Sequence, residues 1–158
     1  MRILVFSDSH HDVESCALMI NKIAGTDMII HAGDHAADAE DLRLIFPDKD
    51  IRFVCGNCDF SSAPSEMLLN VCEKNIFLTH GHGYNVKYDS EYKALSKAAA
   101  AQSADIAVFG HTHQPFYLNT GKMILLNPGS IKYGRTFGII EIEDGKLRAD
   151  ICNMDGWL

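Results

Sequence analysis

The chain lacks long hydrophobic runs. None approaches the roughly 18–20 apolar residues that a membrane-spanning helix requires, so no membrane partner is expected. Basic residues are also scarce: 14 Lys and Arg stand against 21 Asp and Glu, a formal charge of −7. Such a surface repels nucleic-acid backbones and excludes non-specific binding to DNA or RNA. Cysteine is too sparse for a disulfide framework. The five residues (Cys16, Cys55, Cys58, Cys72, Cys152) make an odd count, and no secretion pattern precedes them. Cys55-Gly-Asn-Cys58 has the C-x-x-C form. It lacks the helix start of a redox pair and the second close pair of a zinc ribbon. A Gly-x-x-x-x-Gly-Lys phosphate loop, a dinucleotide fingerprint and a Gly-x-Ser-x-Gly elbow are all missing. Those absences argue against nucleotide binding without hydrolysis and against a serine-nucleophile hydrolase. There are no repeats, linkers or low-complexity tracts, so one domain over residues 1–158 is expected, in a cytoplasmic protein.

What the chain does have is an alternation of short apolar runs and helical patterns. Arg2–Phe6 reads as a buried strand. Asp12–Ala24 reads as a helix, with Asp12 as N-cap and Cys16, Met19, Ile20 and Ile23 at helical spacing. A second strand runs into Gly33-Asp34, a helix follows before Pro47, and a third strand runs into Gly56-Asn57. Strand and helix in this order predict a parallel α/β sheet with right-handed crossovers. In the second half, Ser65–Gly81 reads as two strands joined at Glu73-Lys74-Asn75, and Ser90–Ala104 as a helix. Asn119-Thr-Gly and Asp144-Gly145 mark hairpin turns. A parallel half followed by a mostly antiparallel half fits two packed sheets with helices outside.

The strand ends carry the chemistry. The first ends in Asp8-Ser-His10, the second in Gly33-Asp34, the third in Gly56-Asn57-Cys58-Asp59. Later strands end in His80-Gly-His82 and Gly110-His111-Thr-His113. Any one of these is ordinary turn chemistry. Five together place imidazoles and carboxylates at the edge where α/β sheets bind ligands. Burying so many such groups is costly unless a cation neutralises them. Oxygen and nitrogen donors without thiolate favour manganese, iron, zinc or magnesium. The donors are too many for one tetrahedral ion and suit two adjacent ones.

In this order the motifs resemble those of the calcineurin-like metallophosphoesterases, in particular the small phosphodiesterase branch of bacteria and archaea. Asn127-Pro-Gly-Ser130 is also familiar there. The resemblance implies an α/β fold, a four-layer α/β/β/α sandwich of two mixed β-sheets flanked by helices. It implies that Asp8, His10 and His113 hold one metal, that Asn57, His80 and His111 hold the other, and that Asp34 bridges both. Asp34, Asn57 and His111 are the expected catalytic positions. The cofactors implied are two divalent ions, manganese first, with nickel, iron, zinc and magnesium as alternatives.

The activity implied is hydrolysis of a small phosphodiester by a metal-bridging hydroxide. Cys58 stands where many superfamily members have a His that assists the leaving group. A thiol is a weak donor with pKa about 8.5, so esters with good leaving groups are expected. Asp59 is expected to orient Asn57. His35 and His82 are candidates to flank the substrate, and Arg135 to clamp a phosphate oxygen. His31 reads as structural. Two rivals stand beside this reading: a phosphomonoesterase of the same superfamily, and a non-catalytic scaffold such as the retromer subunit of this fold. Self-association is left open; Trp157-Leu158 could pack on a partner or on the chain itself.

Overall fold

The computed structural model describes residues 1–158. In chain order the elements are β1 (Arg2–Phe6), α1 (Val13–Lys22), β2 (Met28–His31), α2 (Ala36–Ile45), β3 (Asp50–Phe53), β4 (Glu66–Val71), β5 (Lys74–Thr79), α3 (Lys93–Ala101), β6 (Ile106–Val108), β7 (Phe116–Asn119), β8 (Ile124–Asn127), β9 (Thr136–Glu143) and β10 (Lys146–Asn153). Short 3₁₀ turns cover His82–Tyr84 and Met154–Trp157. One sheet has the order β10-β9-β1-β2-β3 and the other β4-β5-β6-β8-β7.

Period-two alternation builds the layers. On β1, Ile3 and Val5 face the other sheet, while Leu4 and Phe6 face the helices α1 and α2. On β5, β6 and β8, Ile76, Leu78, Ile106, Val108, Ile124 and Leu126 face inward, and Phe77, Ala107 and Leu125 lie under α3. Strands buried on both faces need apolar residues at every position, which is why these runs are continuous rather than alternating. The result is helices, sheet, sheet, helix.

Both sheets are mixed, as expected: in the second, β5-β6 and β6-β8 are parallel while β4-β5 and β7-β8 are antiparallel, and the closing β9-β10 hairpin pairs antiparallel with β1 in the first. Two details differ from the sequence expectation. The β4-β5 turn falls at Cys72-Glu73, both at positive φ, rather than at Glu73-Lys74-Asn75. The third helix begins later than Ser90. The Asp89 carboxylate accepts the amides of Glu91 and Lys93 at 3.2 and 2.7 Å, and Tyr92 is left-handed, so the helix starts at Lys93. The Asp144-Gly145 turn has both residues at positive φ, as a type I′ hairpin requires. Trp157 lies edge-on to Phe137, so the C-terminal aromatic packs on its own chain.

No helix is long and apolar enough to cross a membrane. Ile30 is fully buried between the sheets, whereas Leu44 is largely exposed on α2. Ile30→Ala should lower the unfolding free energy by about 2–5 kcal/mol through lost burial and a cavity. Leu44→Ala should change it by about 0.5 kcal/mol or less. Urea unfolding of both variants checks the assignment of the inter-sheet core.

Candidate metal centre

Two groups of side chains converge where the sheets meet. Asp8, His10 and His113 offer three ligand atoms within 4.8 Å of one another, and Asp34, His80 and His111 offer three more. The groups adjoin. His80 Nε2 lies 3.4 Å from Asp34 Oδ2 and 4.0 Å from Asp8 Oδ1, so this one ring faces a carboxylate of each group. His113 Nε2 is 3.1 Å from Asp8 Oδ1, and His10 Nε2 is 3.3 Å from His113 Nε2.

Backbone conformation aims these groups. Asp8, His10, Asp34, His111 and His113 all have φ between +42° and +70°. Side chains rarely adopt this region, and each instance costs on the order of 1–3 kcal/mol. Hydrogen bonds hold it in place. The Ser7 hydroxyl donates to Asp8 Oδ2 at 2.6 Å and the His111 amide donates to the same oxygen at 3.1 Å. The Ser130 hydroxyl donates to the Asp8 carbonyl at 2.8 Å. The Asn127 amide donates to the Gly110 carbonyl and the Thr112 hydroxyl, which steers the Gly110–His113 loop.

His31 braces the other two loops. The Gly33 amide donates to its Nδ1, so the ring proton is on Nε2 and points to Ser9 Oγ at 2.8 Å. Ser9 in turn donates to buried Asp38 at 2.6 Å. The expectation that His31 is structural agrees with this chain of bonds.

The site contains atoms that the protein does not satisfy. Asp8 Oδ1 and His80 Nε2 are buried without a hydrogen-bond partner. The Ala32 carbonyl can only accept, so His80 Nδ1 carries a proton at 2.7 Å, which leaves Nε2 as the nitrogen that faces the two carboxylates. Buried donors and acceptors left unpaired are rare and signal an ion or a reaction. The unpaired atoms are carboxylate oxygen and imidazole nitrogen, the donor types that take hard and borderline divalent cations. The residues therefore fit two cation sites.

Charge follows the same geometry. Burial raises the Asp8 carboxyl, despite His80, Ser7 and His113. Burial would also raise Asp34, but His80 and the Cys58 amide at 2.9 Å outweigh it and hold the carboxyl below its usual range. Burial works against a charged His80, yet Asp34 and Asp8 raise it. His111 falls to about 4, through burial and then the neighbouring His80 and Lys87, so it is a free base near neutrality.

The remaining predicted residues take varied places. Asn57 is exposed, with Nδ2 3.5 Å from Cys58 Sγ. Asp59 does not bond the Asn57 side chain. Its carboxylate accepts the amides of Asp34, Ala36 and Gly56 at 3.1, 2.7 and 2.6 Å, fixing the Asp34 loop, the start of α2 and the turn before Asn57. Burial and Asp34 raise the Cys58 thiol, which weakens it further as an acid. The His35 ring packs against His10 and His11 at 5.1 and 4.1 Å. His82 lies 5.5 Å from the His80 ring. Arg135 Nε donates to Asp155 at 2.8 Å in an exposed ion pair. Tyr133, missed in the sequence, stacks on His113 at 5.4 Å and tilts against His10. Its nearness to Asn127-Pro-Gly-Ser130 was the available signal.

Residues 1–145 match the calcineurin-like phosphoesterase superfamily domain. The chain is 29% identical to the probable metallophosphoesterase YsnB of Bacillus subtilis, over 91% of this chain and 86% of that one. It is 25% identical to Phosphodiesterase MJ0936 of Methanocaldococcus jannaschii, over 94% and 97% of the two chains. The crystal structure of a predicted phosphoesterase from Streptococcus pneumoniae superposes with a TM-score of 0.79 at 28% identity, covering 98% of this chain and 90% of the other.

A Cβ on Gly110 would sit 1.9 Å from Ser7 Oγ and 2.7 Å from Asp8 Oδ2. Gly110→Ala must therefore displace the Asp8 carboxylate. Calorimetric titration with Mn²⁺ should show affinity reduced by about tenfold or more, the scale of lost ligand support. An unchanged isotherm would mean that Asp8 takes no part in binding.

The metal-free protein should also lose stability as pH falls. His31 and His111 drop to about 4, burial being the first cause for both, and His10 and His82 are lowered as well. Unfolded histidines take up protons near 6.5, whereas these folded ones do not. His80 and the Asp8 carboxyl, both raised, work in the opposite direction and are outnumbered. Melting temperature should decline as pH passes from 6.5 towards 4, and His31→Gln should flatten that decline.

Proposed function

Because the chain belongs to the calcineurin-like phosphoesterase superfamily, we propose that it is a metal-dependent phosphodiesterase acting through a dinuclear centre. The observation that carries this reading is the shared position of His80, whose Nε2 faces Asp34 of one triad and Asp8 of the other. Two cation sites so close suit one phosphoryl group held between them. Asp8, His10 and His113 would hold one ion. Asn57, His80 and His111 would hold the other, with Asp34 common to both. Two divalent ions there, manganese first, would supply Lewis acidity towards the phosphoryl oxygens and activation of water.

The protein's own residues do the rest. Asp8 and Asp34 bring two negative charges to the centre, and the proposed histidine and asparagine ligands are neutral as bases. Two divalent cations would leave a net positive pocket in a protein of charge −7, and such a pocket attracts a phosphate ester. His111, kept unprotonated by its surroundings, stays available as a ligand at neutral pH. Cys58 sits beside Asp34 with a raised thiol, so the site offers little acid assistance to a leaving group. That favours activated esters. The diester preference is supported by the name of the Methanocaldococcus relative. A ligand-capable residue at all seven proposed positions argues against a scaffold without chemistry.

Metal-stripped protein resupplied with Mn²⁺ should hydrolyse bis(p-nitrophenyl) phosphate faster than p-nitrophenyl phosphate. Asp34→Asn and His111→Ala should each lower the rate by about 100-fold or more, the upper range for disturbed metal sites. Faster monoester hydrolysis would replace the diesterase with a monoesterase. Bound metal by elemental analysis with no turnover of either ester would leave a binding scaffold.

A further inference from the structure

The metal centre accounts for the phosphoryl group of a diester and for neither of its two substituents. A groove of about 600 Å³ lies beside it, lined by His35, Glu40, Cys58, Phe60, Ser61 and Ser62. Its inner wall is continuous with the centre. The Cys58 amide bonds the Asp34 carboxylate at 2.9 Å, and the His35 ring lies 5.1 Å from that of His10. Its outer lip is Phe60, whose side chain is fully exposed.

A lone exposed aromatic is common on protein surfaces. This one sits on a braced loop. Asp59, its neighbour, accepts three backbone amides. The Cys55 amide donates to the Pro64 carbonyl at 2.9 Å, closing the loop, and the Ala63 amide donates to Ser61 Oγ at 3.1 Å. The phenyl face is therefore presented from a fixed stem, next to the cation sites, with no partner from the chain.

We propose that this groove receives the nucleoside arm of a phosphodiester, with the base against Phe60 and the phosphate at the metal centre. The inference rests on the diesterase reading above. The lining selects this arm. A flat aromatic face beside the hydroxyls of Ser61 and Ser62 and the Glu40 carboxylate matches a ring with a polar edge. Neither an alkyl arm nor a bare sugar has a π face to stack on the phenyl ring. The acidic surface disfavours a long polyanion, so the substrate is a short nucleotide diester rather than a nucleic-acid strand.

The test uses the Mn²⁺-loaded full chain and two esters with the same leaving group, thymidine 5′-(p-nitrophenyl phosphate) and ethyl p-nitrophenyl phosphate. Phe60→Ala should raise KM for the nucleoside ester by about 5- to 100-fold, the range for removing a base-stacking side chain. Hydrolysis of the ethyl ester should be unchanged, and Phe60→Trp should restore the nucleoside preference. Equal effects of Phe60→Ala on both esters, or none on either, would overturn the groove while leaving the diesterase intact. Failure of the wild-type, metal-loaded chain to hydrolyse either ester would overturn the diesterase reading and the groove with it.

Discussion

The structure depends on one buried carboxylate with a single satisfied oxygen. Asp8 Oδ2 takes hydrogen bonds from the Ser7 hydroxyl and the His111 amide, while Oδ1 takes none. The His111 bond joins the end of β1 to the loop after β6, that is, one sheet to the other, and the Ser7 bond steadies the carboxylate from within its own turn. Ser130, after β8, ties the same residue through its carbonyl. The Asp8 turn is thus where three chain segments from both sheets are fastened. Nothing in the fold alone needs the second oxygen to stay unpaired, since burying it so is unfavourable. The arrangement becomes economical once a cation takes that oxygen, and this is why the metal reading explains more of the structure than a polar core would.

The same logic explains the concentration of left-handed residues. Asp8, His10, Asp34, His111 and His113 each hold a conformation that L side chains avoid. A turn optimised for stability would place glycine there. Glycine has no ligand to offer, so the chain keeps Asp and His and places its glycines alongside. Gly56 and Gly110 leave the room that Asp34 and Asp8 occupy, since a Cβ would lie 2.0 Å from Asp34 Oδ1 in one case and 2.7 Å from Asp8 Oδ2 in the other. The offsetting stability comes from the layers beneath, where residues such as Val5, Ile30, Leu78 and Val108 are buried without remainder.

Much of this was legible in the sequence because two signals are local. Continuous apolar runs marked β1, β2, β5, β6 and β8, and Asp12 marked the start of α1, where it accepts the Ser15 amide. The clustering of Asp and His at strand ends was visible in the same way. What was not legible depends on distant partners. Nothing local says that β9 leaves its neighbours to pair with β1, because that choice is made by contacts across more than 130 residues. The role of Asp59 also eluded the sequence. An acid two residues from Asn57 suggests a side-chain contact, yet backbone amides of another loop lie closer and take both oxygens. Arg135 pairs with Asp155, twenty residues on, a partner that nothing local announces. Tyr133 was overlooked because its significance lies in stacking on His113, which only the folded chain brings near.

The two triads are held differently, and the difference follows from position in the fold. His80 is completely buried, its Nδ1 proton committed to the Ala32 carbonyl, so its free nitrogen has a single orientation. His10 and His113 stand on loop tips, partly exposed, and their rings are steadied by the contact between their Nε2 atoms and by packing against each other and against Tyr133. In the metal-free chain Asp34 and Asp8 raise His80 against the effect of burial, whereas burial, His80 and Lys87 lower His111 to about 4. The two imidazoles of one triad therefore answer to opposite influences: the ring that faces both carboxylates is held by their charge, and the ring farther from them is governed by desolvation.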